Sequence, residues 1–200
     1  MGYYDYHPTV SLRRPVVLTG FYGSAADGVG QMLTQRTGLP LIELDRWIEH
    51  EAGGTLASVA LSRGEPTLRS LEGRLLVKAL AERPPGVIVL GEGGLLDDKN
   101  LQRVKTSADL VVLTGTAAAL VPRAEEEREL HPERPWQFCG LPAVTEELVE
   151  KMLVPRRTAW ARADMTLDVA GRSATSMAAD VLAWLRAERG AQGIADQPEG

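Results

Sequence analysis

Short apolar runs alternate with longer segments of helical periodicity along this 200-residue chain. In the longer segments apolar residues recur every three or four positions, which predicts amphipathic helices. The runs are almost continuously apolar, as expected for strands that are covered on both faces of a parallel sheet. The alternation predicts a three-layer α/β/α fold, in which helices cover both faces of a five-stranded parallel sheet. The predicted strands are Val16–Thr19, Leu39–Leu44, Val87–Leu90, Leu110–Leu113 and Met165–Val169.

Local signals predict where several helices begin and end. Gly38 is a stop signal for the first helix, and Asp45 is a predicted N-cap for the second. Pro66 suits the first turn of a long helix that ends near Glu82. The acidic run 125–129 predicts a solvent-exposed end for the sixth helix. The predicted helices cover about 28–38, 45–53, 56–63, 65–82, 97–105, 117–130, 145–162 and 173–188.

Changes in composition divide the chain into one domain and two flanking segments. Residues 1–13 are polar and aromatic without a period, and we predict that they form an N-terminal arm. Residues 14–188 form the domain, and the irregular segment 131–144 within it is predicted to be a lid. Residues 189–200 contain Gly, Gln and Pro and are predicted to be a disordered tail.

Composition favours a cytoplasmic protein that binds neither nucleic acid nor membranes. The net charge of −5 is unfavourable for contacts with a phosphate backbone. The single Cys139 cannot form an internal disulfide and suits a reducing compartment. No apolar run approaches the roughly 20 residues that span a bilayer. No Cys and His spacing is typical of a zinc site, so no metal is expected. The oligomeric state stays open.

One turn near the N-terminus dominates the candidate chemistry. An apolar run, a glycine-containing turn and a helical pattern follow one another over residues 15–30, where a P-loop would lie. A P-loop reads G-x-x-x-x-G-K-[ST], because backbone amides and the Lys bind phosphates while the hydroxyl binds Mg²⁺. Here Gly20 is present, but Ala25, Ala26 and Asp27 stand at the last three positions. The sequence therefore indicates a degenerate P-loop, and no cofactor is expected.

Three of the predicted strands are followed directly by candidate site residues. Gly20, Asp45 and Gly91 each lie just past the end of a strand. Because the carboxyl ends of parallel strands meet at one edge of a sheet, where ligands bind, these residues should border one cleft. Asp27 and Glu92 would add two carboxylates to that cleft.

Six segments in this order resemble the shikimate kinase family, and the likeness covers about residues 15–188. The resemblance implies a P-loop-kinase-like fold with a lid. For an intact family member it also implies transfer of a phosphoryl group from ATP to shikimate with the help of Mg²⁺. The segments are Gly20–Gly23, Leu44–Glu49, Gly64–Glu72, Leu90–Gly93, Arg134-Pro135 and Pro155–Trp160.

The resemblance implies that the acceptor half of the site is kept. Asp45 matches the Asp that binds the ring hydroxyls of shikimate, and Glu43 stands in place of a preceding Asp. Arg69 and Arg156 match the two arginines that bind the shikimate carboxylate. Two guanidinium groups on one carboxylate give strong and oriented recognition of an acid.

Two further segments belong to the substrate site that the resemblance implies. Gly91, Glu92 and Gly93 match a Gly-Gly-Gly turn that lines the acceptor pocket, so Glu92 adds a side chain where the family has none. Arg134 matches an Arg of the lid that bridges the acceptor and the phosphate.

Three hypotheses for function follow from these residues. The first is a protein that binds shikimate or a related polyol carboxylic acid but has lost ATP phosphotransfer. The second is a nucleotide-independent lyase or isomerase, in which Asp27 and Glu92 act as acid–base groups. The third is an active shikimate kinase with atypical phosphate contacts, and only this one needs ATP and Mg²⁺.

Overall fold

A computed structural model describes residues 9–130, 141, 143–189 and 192–193 of the protein. Its main sheet has five parallel strands in the order β3-β4-β2-β5-β6, as predicted. Most of the predicted lid 131–144, including Arg134, lies outside the described residues. The strands are β1 (Val10–Ser11), β2 (Val16–Gly20), β3 (Leu41–Glu43), β4 (Val87–Val89), β5 (Asp109–Thr114), β6 (Met165–Asp168) and β7 (Gln192–Gly193).

Helices surround the sheet, and the three-layer prediction is confirmed. The first helix packs on the last, and the second and third pack on the fourth. No helix in the described part of the chain combines the length and apolar character needed to cross a membrane. The helices are α1 (Ala26–Thr37), α2 (Leu44–Ala52), α3 (Leu56–Arg63), α4 (Glu65–Ala81), α5 (Asp98–Ser107), α6 (Ala117–Leu130), α7 (Glu146–Trp160) and α8 (Ala174–Glu188).

The central strands form the core of the domain. Every residue of β2 and β4 is buried, and so is every residue of β5 except its last. Continuous apolar runs suit these strands because both faces of the sheet are covered. Burial of the strands fixes their carboxyl ends, and with them the turns that follow β2, β3 and β4.

Two helix starts differ from the prediction, and both differences affect the candidate site. Helix α1 begins at Ala26 instead of Gly28, which brings Asp27 into its first turn. Helix α2 begins at Leu44, so the prediction that Asp45 is its N-cap is wrong. Leu44 is fully buried, and its packing draws it into the helix directly after β3. Asp45 therefore lies in the first turn, where the helix dipole favours a carboxylate.

A second, two-stranded sheet joins segments from the two ends of the chain. Strand β1 pairs antiparallel with β7, so that Val10 lies opposite Gly193. Val10 is fully buried within the hydrophobic core. The segments that the sequence presents as an arm and a tail thus share a short ladder of backbone hydrogen bonds.

Candidate functional site

A cavity of about 640 Å³ opens at the carboxyl ends of β2, β3 and β4. Gly20, Asp45 and Gly91 all border it, so the strand ends do bring these residues together. Asp27 and Glu92 also lie on its wall. The β2–α1 turn forms one side of the cavity. Residues of α2, of α6 and of the turn that follows β4 form much of the rest of its wall.

The β2–α1 turn has little room for side chains. A Cβ added to Gly20 would lie 2.5 Å from the carbonyl oxygen of Leu113 on β5. Gly23 has a φ of 77° and Ala25 has a φ of 61°, both in the left-handed region. For an alanine this conformation costs roughly 1 kcal/mol, because its Cβ approaches the following carbonyl oxygen. The backbone at position 25 therefore has a conformation that favours glycine, although the residue there is an alanine.

Helix α6 holds this turn through two charged side chains. The Gly23 N–H donates a hydrogen bond of 2.8 Å to Oε2 of Glu127. Nε of Arg123 donates to the Gly23 carbonyl oxygen at 2.5 Å, and its Nη1 donates to the Val169 carbonyl oxygen at 3.2 Å. A backbone amide of the turn is thus occupied by a carboxylate of the protein itself.

The expectation that the acidic run 125–129 faces solvent is wrong for part of the run. Glu126 and Glu127 border the cavity, and Glu127 is only half-exposed. Helical spacing could have revealed Glu127, because Leu120, Ala124 and Glu127 follow one another at intervals of four and three. Leu120 and Ala124 are buried, so the same face of α6 turns Glu127 towards the turn.

The cavity is strongly acidic. Arg123 is the single basic side chain among the described residues that border it. In the part of the chain that the structure describes, no group of three or more His, Cys, Asp or Glu residues could hold a metal ion. The carboxylates on the wall are Asp27, Glu43, Asp45, Glu92, Glu126 and Glu127.

Glu92 lies between Arg69 and Arg156, the two arginines for which the resemblance implies carboxylate binding. Its Oε1 is 3.6 Å from Nη2 of Arg69, and its Oε2 forms an ion pair with Nη2 of Arg156. Nε of Arg156 also donates a hydrogen bond of 3.1 Å to the Glu92 carbonyl oxygen. The side chain of Glu92 is only 3% exposed, and that of Arg156 only 6%. The guanidinium of Arg156 further packs over the Phe21 ring at 5.8 Å.

Arg69 reaches the same place from α4. It forms ion pairs of 3.1 Å with Glu65 and 3.0 Å with Glu72, besides its contact with Glu92. Burial acts to lower the pKa of Arg69, but the charges of Glu72 and Glu92 outweigh it and raise that pKa. Gly93 leaves space for the guanidinium, because a Cβ there would lie 2.4 Å from Nη2 of Arg69.

Glu72 is a buried carboxyl group in this cluster that sequence reasoning did not assign to the site. Burial raises its pKa to about 7, Asp45 and Glu92 add to the increase, and Arg69 opposes it. A Cβ added to Gly91 would lie 3.1 Å from Oδ1 of Asp45 and 3.3 Å from Oε1 of Glu72, so both carboxyl groups meet above this glycine. The sequence does carry a signal that Glu72 is buried, because Glu72 lies in the apolar stripe of α4. The buried residues of this stripe include Leu68, Leu75, Leu76 and Ala79.

Glu72 should make the stability of the protein depend on pH. Its pKa is raised on folding from 4.5 to about 7. The folded state therefore binds more protons between these values, and stability decreases as pH rises through this window. From pH 5 to pH 8 this group alone should cost about 2 kcal/mol. Chemical unfolding of the wild type and Glu72→Gln at both pH values measures the effect. An equal pH dependence in the two proteins would contradict the assignment.

The predicted site residues fall into two connected groups. Asp27, Asp45, Gly91 and Glu92 border the main cavity. Arg69 borders a small recess that Asp45, Gly91 and Glu92 also line, so the recess adjoins the cavity. The remaining described candidates contact residues that line the recess: Gly93 lies against the Arg69 guanidinium, and Arg156 is paired with Glu92.

A family model and several known sequences match this chain. A sequence model described as shikimate kinase matches residues 25–186. A shikimate kinase of Geobacter sulfurreducens is 28% identical over 173 residues, covering 86% of this chain and 91% of the relative. A shikimate kinase of Persephonella marina is 26% identical over 174 residues, covering 86% of this chain and 99% of the relative.

Solved structures give the same fold. The shikimate kinase from Acinetobacter baumannii, in complex with shikimate, aligns with a TM-score of 0.76 and 20% identity, covering 88% of this chain and 94% of that one. The shikimate kinase from Bacteroides thetaiotaomicron aligns with a TM-score of 0.73 and 20% identity, covering 86% and 97%. A gluconokinase from Sinorhizobium meliloti has a TM-score of 0.57, 18% identity and coverage of 90% and 95%. The family model matches residues 25–186, which is most of the chain, and this chain therefore belongs to the shikimate kinase family.

Proposed function

We propose that this protein binds a small polyol of the shikimate type in the cavity and does not transfer a phosphoryl group from ATP. The observation that carries the proposal is the hydrogen bond that the Gly23 amide donates to the carboxylate of Glu127. In a working P-loop the amides of this turn bind phosphate, and an internal carboxylate competes for that role.

The residues around the turn do not fit ATP and Mg²⁺, which shikimate kinases use. Ala26 supplies no cation for the phosphates, and loss of one preorganised stabiliser typically costs about 3–4 kcal/mol in a transition state. Asp27 and Glu127 add negative charge where the phosphates would lie. A unit-charge repulsion at 4 Å is about 4 kcal/mol at an effective dielectric constant of 20. These changes all weaken the binding of ATP and Mg²⁺, so we propose that this site does not catalyse phosphoryl transfer.

The acceptor side retains the features of a polyol site. Asp45 borders both the cavity and the recess, and its carboxylate can accept hydrogen bonds from vicinal hydroxyl groups. Gly91 leaves the floor beside it without a side chain. A volume of about 640 Å³ is within the range of small-molecule sites. These features support a ligand with several hydroxyl groups.

The lyase or isomerase hypothesis receives less support from the contacts. It needs Glu92 as an acid–base group, but Glu92 is ion-paired with both Arg69 and Arg156. A group that is fixed between two cations and only 3% exposed is poorly placed to exchange a proton with a ligand. Binding without turnover is therefore the function that we propose.

Titration with Mg-ATP tests the first half of the proposal. We expect no saturable heat at millimolar nucleotide, because the turn offers carboxylates where a kinase offers a Lys. Micromolar binding would refute the proposal and favour the kinase hypothesis. An active shikimate kinase titrated under the same conditions provides the positive control.

Thermal unfolding with a panel of cyclic polyols tests the second half. The panel contains shikimate, quinate and their methyl esters, so that binding is detected whatever the charge of the ligand. A ligand at 100 times its Kd adds about 2.7 kcal/mol to the free energy of unfolding. We expect at least one member to raise the melting temperature, and Asp45→Ala to abolish the increase. A panel without any effect would contradict polyol binding.

A further inference from the structure

We infer that Glu92 is a built-in substitute for the carboxylate of a ligand, so that this site selects an uncharged polyol over a polyol acid. The inference rests on the proposed polyol binding and adds the charge of the ligand to it. It makes Glu92 a specificity-determining residue at the entrance to the arginine pair.

The first support is the set of contacts that Arg156 makes with the protein. Its Nε donates to the Glu92 carbonyl oxygen, its Nη1 donates to the Met152 carbonyl oxygen, and its Nη2 is paired with the Glu92 carboxylate. These contacts use three of the five N–H groups of the guanidinium. The edge formed by Nε and Nη2 faces Glu92, so a ligand carboxylate could bind that edge at two points only by displacing Glu92.

The second support is the set of carboxyl groups around Arg69. Its Nε and Nη2 donate to Glu65, and its Nη1 donates to Glu72. Glu92 lies against the same Nη2 at 3.6 Å. Three carboxyl groups of the protein, those of Glu65, Glu72 and Glu92, therefore already lie around the Arg69 guanidinium. Only Glu92 contacts both arginines.

The third support is the position of the Glu92 carboxylate relative to the cavity. Glu92 follows β4 in the turn between Gly91 and Gly93, and it borders both the cavity and the recess. A ligand whose hydroxyl groups reach Asp45 would bring its other substituents against Glu92. A carboxylate there meets a buried like charge, whereas an ester or a hydroxyl group does not.

The test compares shikimate with its methyl ester by calorimetric titration. We expect the wild type to bind the ester at least about tenfold more tightly than the acid, because of the repulsion between like charges. In Glu92→Gly the one carboxylate that contacts both arginines is removed, and the order should reverse in favour of the acid by about tenfold or more. Glu92→Gln keeps the size of the side chain without its charge and should raise the affinity for the acid.

A matched control separates Glu92 from the general acidity of the cavity. Glu126 borders the same cavity and is exposed. Glu126→Gln removes one negative charge from that wall, and solvent screening should limit the change in the acid-to-ester ratio to about threefold or less. An equal change in Glu126→Gln and Glu92→Gln would overturn the specific role of Glu92.

Because Glu92→Gly removes the carboxylate that pairs with Arg156 and contacts Arg69, its folding is followed by melting temperature in acetate and in chloride of equal ionic strength. Acetate should stabilise Glu92→Gly and leave the wild type unchanged. Equal affinity of the wild type for acid and ester, or no acetate effect on Glu92→Gly, would overturn the inference. If the wild type binds neither compound while acetate stabilises Glu92→Gly, polyol binding fails and the substitution of Glu92 for an external carboxylate stands.

Discussion

Replacing Arg156 with Met should lower the free energy of unfolding by about 3 kcal/mol, since the buried Glu92 carboxylate loses its nearer cation and keeps only the 3.6 Å contact with Arg69. The side chains of Arg156 and Glu92 are only 6% and 3% exposed, so water cannot replace the lost partner. For a chain of this size the loss corresponds to a decrease in Tm of roughly 10 °C.

Arg157 provides a matched control on the adjacent position of α7. It forms an ion pair with Glu150, but the two side chains are 60% and 47% exposed. Arg157→Met should therefore cost less than about 1 kcal/mol. The double variant Arg156→Met with Glu92→Gln should recover part of the loss, because no buried carboxylate remains unpaired. Equal costs for the two arginines would show that burial of the Glu92 pair does not matter for stability.

Replacing Gly23 with Ala should cost about 3 kcal/mol, the sum of backbone strain and a steric clash with α6. Gly23 has a φ of 77°, and an added Cβ would lie 2.7 Å from the backbone nitrogen of Ala124 and 2.9 Å from the carbonyl oxygen of Leu120. Neither backbone atom can move without shifting the helix. The variant should also weaken the contact between the Gly23 amide and Glu127.

Gly53→Ala isolates the contribution of backbone strain. Gly53 has a φ of 71°, but nothing lies within 4 Å of an added Cβ. This variant should cost only about 1 kcal/mol. Chemical unfolding of both variants gives the difference, which measures how closely α6 packs on the turn. If Gly23→Ala were no worse than Gly53→Ala, the turn and α6 could separate without cost.

The fold was predictable because the signals that determine it are local. Continuous apolar runs identify buried strands, and the carboxyl ends of those strands bring Gly20, Asp45 and Gly91 to one cavity. The start of α2 was less predictable, since the burial of Leu44 decides it and the capping tendency of Asp45 does not.

The pairing within the site was not predictable, although most of its residues were. The family resemblance implies that Arg69, Arg156 and Glu92 belong to one site, but residue types alone do not tell whether an arginine binds a ligand or a neighbouring Glu. Geometry decides this, because Glu92 enters from a turn in which neighbouring glycines leave room. The contact of Glu127 with the β2–α1 turn was not predictable for another reason. An acidic run usually faces solvent, but one member of this run lies on the buried stripe of α6.

The acidic wall of the cavity has a consequence for the kinetics of binding. Among the residues that the structure describes, six carboxylates and one arginine border the opening, and their summed charge makes the potential there negative. An anionic ligand would approach against this field, and its association rate constant should rise as salt shortens the Debye length from about 30 Å at 0.01 M to about 10 Å at 0.1 M. An uncharged polyol enters at a rate that hardly depends on ionic strength. The salt dependence of the association rate thus reports the charge of a ligand before its identity is known.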